Sequence, residues 1–128
     1  MSLPRTPTTI DGIWQLVRAE LEGESAPDFL PQKIELELSL GFYLVRFGGE
    51  VSDAGTYVVE RDRNPPGLTL RGTAGPNADR EIPCLFQQAG DLLRICYGLN
   101  GLRPTEFTTA AGQPRYLASY RRRPLAGR

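Results

Sequence analysis

A chain of 128 residues, 40% hydrophobic and 23% charged, has single-domain length and buries about two-thirds of its unfolded surface, enough for a core without disulfide or metal staples. It has no histidine and only two cysteines, Cys84 and Cys96, so the usual serine or cysteine triads, most zinc sites and disulfide frameworks lack their residues. Formal charge is zero, and no apolar run approaches the roughly 20 residues a spanning helix needs, so neither a disordered chain nor a membrane span is expected.

Met1 to Pro7 lacks the apolar stretch of a secretory signal, which places the chain in the cytoplasm as an expectation. Residues 1–10 read as an N-terminal tail, 11–123 as one domain and 124–128 as a C-terminal tail. Within the domain, short β-rich runs alternate with glycine and proline clusters, the pattern of a sandwich or barrel. Eight strands are predicted, at about 12–22, 33–39, 42–47, 54–60, 67–73, 80–88, 91–98 and 115–122. A helical turn is predicted only from Ala26 to Pro31, kept short by Pro27 and Pro31.

Two hairpins fix their own register. Ile34, Leu36 and Leu38 alternate with Glu35, Glu37 and Ser39, so the apolar set faces inward. A tight turn at Leu40-Gly41 sets Leu38 opposite Tyr43, Leu36 opposite Val45 and Ile34 opposite Phe47, and on the outer face Glu35 meets Arg46. A slip of one residue would turn the glutamates into the core. The second hairpin turns at 89–90 or 90–91. It joins Ile82, Cys84 and Phe86 to Leu93, Ile95 and Tyr97 on one face and sends Cys96 to the other. Both cysteines are therefore expected as free thiols, with Cys84 as small core packing.

The segment from Gly98 to Pro114 has no clear periodicity, and loops of that length are often lids or binding segments. In an up-and-down barrel this connection falls at the end opposite the first strand's start. It is therefore expected over that mouth, with Arg103, Glu106 and Phe107 near the entrance. Arg103 and Glu106 either orient the polar head of a ligand or fix the loop by a salt bridge.

Charge is unevenly distributed. Residues 11–60 hold ten acids against Arg18, Lys33 and Arg46, whereas residues 61–128 hold eleven arginines against five acids. In a closed barrel the first and last strands are neighbours, so cross-strand complementarity accounts for much of this. No nucleic-acid partner is expected, because no aromatic residues interleave with the arginines. Arg121 to Arg123 read as solvated. Glu20, Glu22 and Glu24 lack the spacing of a calcium loop, so no metal and no cofactor is expected.

Gly12-Ile13-Trp14 resembles the Gly-x-Trp signature of lipocalins and fatty-acid-binding proteins, together the calycins. The resemblance implies that Trp14 plugs one end of the barrel beneath an arginine of the last strand, Arg121 or Arg122, with cation–π packing as the physical reason. Gly55-Thr56-Tyr57, Gly75-Pro76-Asn77, Gly90-Asp91-Leu92-Leu93-Arg94-Ile95-Cys96-Tyr97 and Arg103-Pro104-Thr105-Glu106-Phe107 follow in order. Together these look like a family of small lipocalin-like bacterial domains, numerous in planctomycetes and acidobacteria. That resemblance implies an all-β, eight-stranded antiparallel up-and-down barrel and transfers no activity. Arg115-Tyr116 is adjacent rather than alternating, unlike the arginine–tyrosine pair that holds carboxylates inside fatty-acid-binding proteins.

A barrel of this size is either filled by its own side chains or holds one small ligand. The expected function is binding of a small apolar or amphipathic molecule, without catalysis. Leu38, Tyr43, Tyr57, Phe86, Tyr97, Tyr116, Arg103 and Glu106 are the candidate binding residues. The alternative is a protein-interaction or structural domain with a filled barrel. A connected void of about 300 Å³ separates the two readings.

Overall fold

Alternating apolar and charged side chains make a strand that can bury one face only, and a sheet of such strands hides that face by curling closed. A computed structural model describes residues 10–27 and 31–123 and shows this solution. Its strands are β1 (Gly12–Leu21), β2 (Glu24–Ser25), β3 (Ile34–Ser39), β4 (Phe42–Phe47), β5 (Glu50–Glu60), β6 (Gly67–Ala74), β7 (Glu81–Ala89), β8 (Leu92–Gly98) and β9 (Arg115–Arg122). From β3 to β9 each pairs antiparallel with the next. β1 pairs with both β3 and β9, closing an eight-stranded up-and-down barrel of lipocalin-like shape, and β2 is a short extra strand on the end of β1.

The predicted strands all form, and both hairpin registers hold. Leu38 faces Tyr43, Leu36 faces Val45 and Ile34 faces Phe47 across β3 and β4, with Glu35 opposite Arg46. Arg46 in fact lies closer to the diagonal Glu37, at 2.6 Å, than to Glu35, at 3.7 Å. The turn places both Leu40 (φ 53°) and Gly41 (φ 86°) in the left-handed region, the geometry whose twist suits a two-residue hairpin. Between β7 and β8 the turn is Gly90-Asp91, since Ala89 pairs with Leu92.

Three details differ from expectation. β5 begins at Glu50 rather than near 54, because Gly48-Gly49 forms a two-residue hairpin turn with positive φ at both positions. The helical turn is a single 3-10 turn at Pro31–Lys33, and residues 28–30 of the expected segment lie outside the described residues. Of the two tails, 1–9 and 124–128 likewise lie outside. Ile10, however, is buried in the core and accepts a hydrogen bond from Trp14 Nε1 at 2.9 Å.

The core is the inward face of all eight barrel strands, with Trp14, Leu16, Leu36, Leu38, Tyr43, Leu68, Phe86 and Ile95 among its buried members. Among the described residues three bulges interrupt the ladder. Val17 is extra in β1 opposite β9, Ser52 is extra in β5 opposite β4, and Thr73 is extra in β6 opposite β5. No helix among the described residues is long and apolar enough to cross a membrane.

Cys84 and Cys96 are free and buried, Cys84 inside the barrel and Cys96 on its outer face. Burial pushes both thiols up, Cys84 strongly, which keeps them protonated and unreactive. A thiol reagent is therefore expected to titrate two groups per chain in unfolded protein without reductant, and none promptly in folded protein. Zero groups in the unfolded chain would overturn the register.

Candidate functional site

The two ends of the barrel are built differently. At one end Trp14 is fully buried, and the Arg122 guanidinium sits 4.3 Å from its ring centre. Arg122 also donates to the Asp11 carbonyl and pairs with Asp91 at 3.4 Å. The plug expected from the resemblance is therefore formed, and Arg122 rather than the exposed Arg121 supplies the cation. Arg123, read as solvated, pairs with Glu35. Leu38, Tyr57 and Phe86 belong to this sealed half. Tyr57 donates to Asp11 Oδ1 at 2.6 Å, and Phe86 is buried beneath Arg61, whose Cζ lies 5.5 Å from its ring centre.

The other end is hollow. A cavity of about 250 Å³ runs into the barrel between Ile34, Leu36, Val45, Leu70 and Ile82, with Phe47, Ser52, Asp53, Asn77 and Leu99 at its outer part and Tyr43, Tyr97, Tyr116 and Tyr120 on its walls. A second hollow of about 330 Å³, under Leu16, Ala19, Ala26 and Pro31, shares Ile34 and Tyr116 with it. The first, tyrosine-lined cavity is a little under the 300 Å³ that separates the two readings. It still exceeds the ~150 Å³ cavity that suffices for benzene in a protein core.

Its polar groups are few and specific. Tyr97 and Tyr120 share a hydrogen bond at 2.6 Å between their hydroxyls. The Tyr43 hydroxyl is buried without a partner, and such a group in a native structure calls for an explanation, commonly a ligand or water atom beside it. Burial, with the Asp53 carboxylate adding to it, pushes Tyr43 up to about 12. Burial raises Tyr97, Tyr116 and Tyr120 as well. All four phenols are thus neutral at physiological pH. Asp53 accepts from Asn77 Nδ2 at 2.7 Å and from the Ala54 amide at 3.1 Å. At the rim, Arg80 donates to Asn77 Oδ1 at 3.3 Å and to the Leu99 carbonyl at 3.1 Å.

Of the candidate binding residues, Tyr43, Tyr97 and Tyr116 meet in this cavity. Arg103 and Glu106 do not. Leu99, at the start of the long loop, reaches the cavity, but the loop then turns onto the outer wall instead of covering the mouth. Arg103 lies across β6 and β7, donating to the Cys84 carbonyl at 2.7 Å and Thr69 Oγ1 at 3.2 Å and pairing with Glu60 at 2.7 Å. Gly67 makes room for it, since a Cβ there would meet Arg103 Nη1 at 2.5 Å. Phe107 packs under Arg94, 4.5 Å from its ring centre to the guanidinium carbon. Thr109 ties the loop to β1 and its turn through Glu20 and the Gly23 amide. Glu106 is exposed. The physical reason is burial: Leu85 and Cys96 face outward on β7 and β8 yet are buried, so that wall needs a cover.

Asp53, Asn77 and Leu99 were not foreseen. Asp53 lies just before the strand expected at 54–60, and Asn77 sits outside the named strands. Among the described residues no three His, Cys, Asp or Glu side chains converge as metal ligands. Compared with known proteins, the chain matches no family model, no curated protein and no solved structure.

Proposed function

We propose that this barrel binds one small amphipathic molecule in the cavity opposite Trp14 and performs no chemistry on it, as a calycin-type binding domain. The buried, unpartnered Tyr43 hydroxyl on an otherwise apolar wall supports the reading most directly. A body of aromatic or aliphatic carbon would meet Leu36, Leu70 and Ile82, while one polar atom would complete Tyr43. That is the division of labour found in small-molecule pockets generally. The absence of histidine leaves proton transfer to carboxylates and phenols, and the phenols here are held neutral.

A second reading, a protein-interaction domain, draws on Leu40, Phe42 and Val58. These are 84%, 63% and 61% exposed, Leu40 at the β3–β4 turn and the others on the outer face of β4 and β5. Native mass spectrometry of the protein as purified tests both. The binding reading expects a population heavier than the chain by one small organic molecule, lost on unfolding. A bare chain mass, together with no thermal stabilisation by any member of a small-molecule library, would sink it. A dimer or protein adduct would favour the second reading.

A further inference from the structure

We propose that the cavity selects a protonated amine, a small ammonium head on an apolar body of roughly ten non-hydrogen atoms, a size set by comparison with the cavity that holds benzene. This rests on the cavity being a binding site, as argued above, and names the chemical class it takes.

Charge carries the inference. Of the described residues lining the cavity, Asp53 is the only one with a formal charge. Its hydrogen bonds come from neutral donors, the Asn77 amide group and the Ala54 backbone. Among the described residues no lysine or arginine forms an ion pair with it. A partly buried carboxylate favours an opposite charge beside it and repels a like one, more strongly than in water.

The walls agree with the charge. Tyr43, Tyr97, Tyr116, Tyr120 and Phe47 bring five aromatic rings to one small cavity. Aromatic faces attract a cation, and they do so best where water is excluded. A primary ammonium carries three donors and no acceptor. The Asp53 carboxylate and the free lone pairs of Tyr43 are acceptors for two of them, and a ring face takes the third. A carboxylate ligand would find phenol donors but also Asp53. Among the described residues the one guanidinium bonded to cavity-lining residues, Arg80, is exposed and already donates to Asn77 and Leu99.

Three probes of one shape decide it: phenethylamine, phenethyl alcohol and hydrocinnamate, titrated calorimetrically into the full chain at neutral pH. The ammonium is expected to bind about tenfold more tightly than the alcohol, with the carboxylate weakest. Asp53→Asn is expected to bring the amine to the alcohol's affinity and leave the alcohol within about twofold, a difference too small to reflect a lost ion pair. Equal binding of amine and alcohol to the native chain overturns the proposal, and needs no variant to be folded. So does tightest binding by the carboxylate, which would make Arg80 the anchor. In both cases the alcohol still binds and the cavity stands as a site. Failure of all three probes to bind overturns the proposal, and the binding reading is then decided separately by native mass spectrometry and the small-molecule library.

Discussion

Trp14→Ala is expected to lower the stability of the fold by about 3–5 kcal/mol, the range for removing a large buried aromatic. Trp14 is 0% exposed, and burying roughly 200 Å² of ring at about 25 cal/mol per Å² gives a similar figure, about 5 kcal/mol. Two further losses add to the transfer term. The Ile10 carbonyl loses the indole N–H, and Arg122 loses the ring it stacks on while Asp11 and Asp91 still hold it in place. Trp14→Phe keeps a ring under the guanidinium and forfeits the Ile10 hydrogen bond, so it should cost about 1–2 kcal/mol. Urea unfolding checks both. A loss below about 1 kcal/mol for the alanine variant would mean that the sealed end stands without its plug.

Arg103→Ala is expected to cost about 2 kcal/mol and to leave the affinity of any cavity ligand unchanged. Breaking a fully buried ion pair costs about 3–5 kcal/mol. Arg103 and Glu60 retain 21% and 30% side-chain exposure, so solvent screening brings the figure down. What remains is concrete: the Cys84 carbonyl, Thr69 Oγ1 and the Glu60 carboxylate all lose one shared donor. Lysine should restore little of it, because a single ammonium cannot span three acceptors as the planar fork does. Denaturation and ligand titration on the same variant give the answer. Loss of binding with stability intact would return Arg103 to the entrance, where its place in the chain suggested it.

The contrast between these two residues shows where a sequence speaks clearly. Trp14 was legible because its motif and its position at a strand start say the same thing. Arg103-Pro104-Thr105-Glu106-Phe107 was not, because an arginine and an aromatic anchor look alike whether they face a mouth or a wall. The deciding signal lay elsewhere. Cys84-Leu85-Phe86 and Ile95-Cys96-Tyr97 break the alternation of β7 and β8 into continuous apolar runs, which marks strands buried on both faces. Something had to cover Leu85 and Cys96, and the long loop is what covers them.

The same logic explains the rest of the reading. The Ile34–Phe47 hairpin was legible to single-residue register because glutamates on one face forbid a slip. The start of β5 was not, since Glu50, Ser52 and Asp53 offer no apolar alternation and Gly48-Gly49 alone carried the turn. Three of the four cavity tyrosines were picked out by their inward parity. Asp53 escaped because the expected strand began one residue after it, at 54, although it shares the inward parity of Tyr57.

The sealed pole has one more property. The chain enters the barrel there at Ile10 and leaves it there at Arg123, whose amide bonds the Ile13 carbonyl at 2.8 Å. An affinity tag, a fused protein or a solid support joined through either end is therefore tethered at the plugged pole. Its attachment leaves the hollow pole pointing away, so an immobilised barrel presents its cavity to the solution.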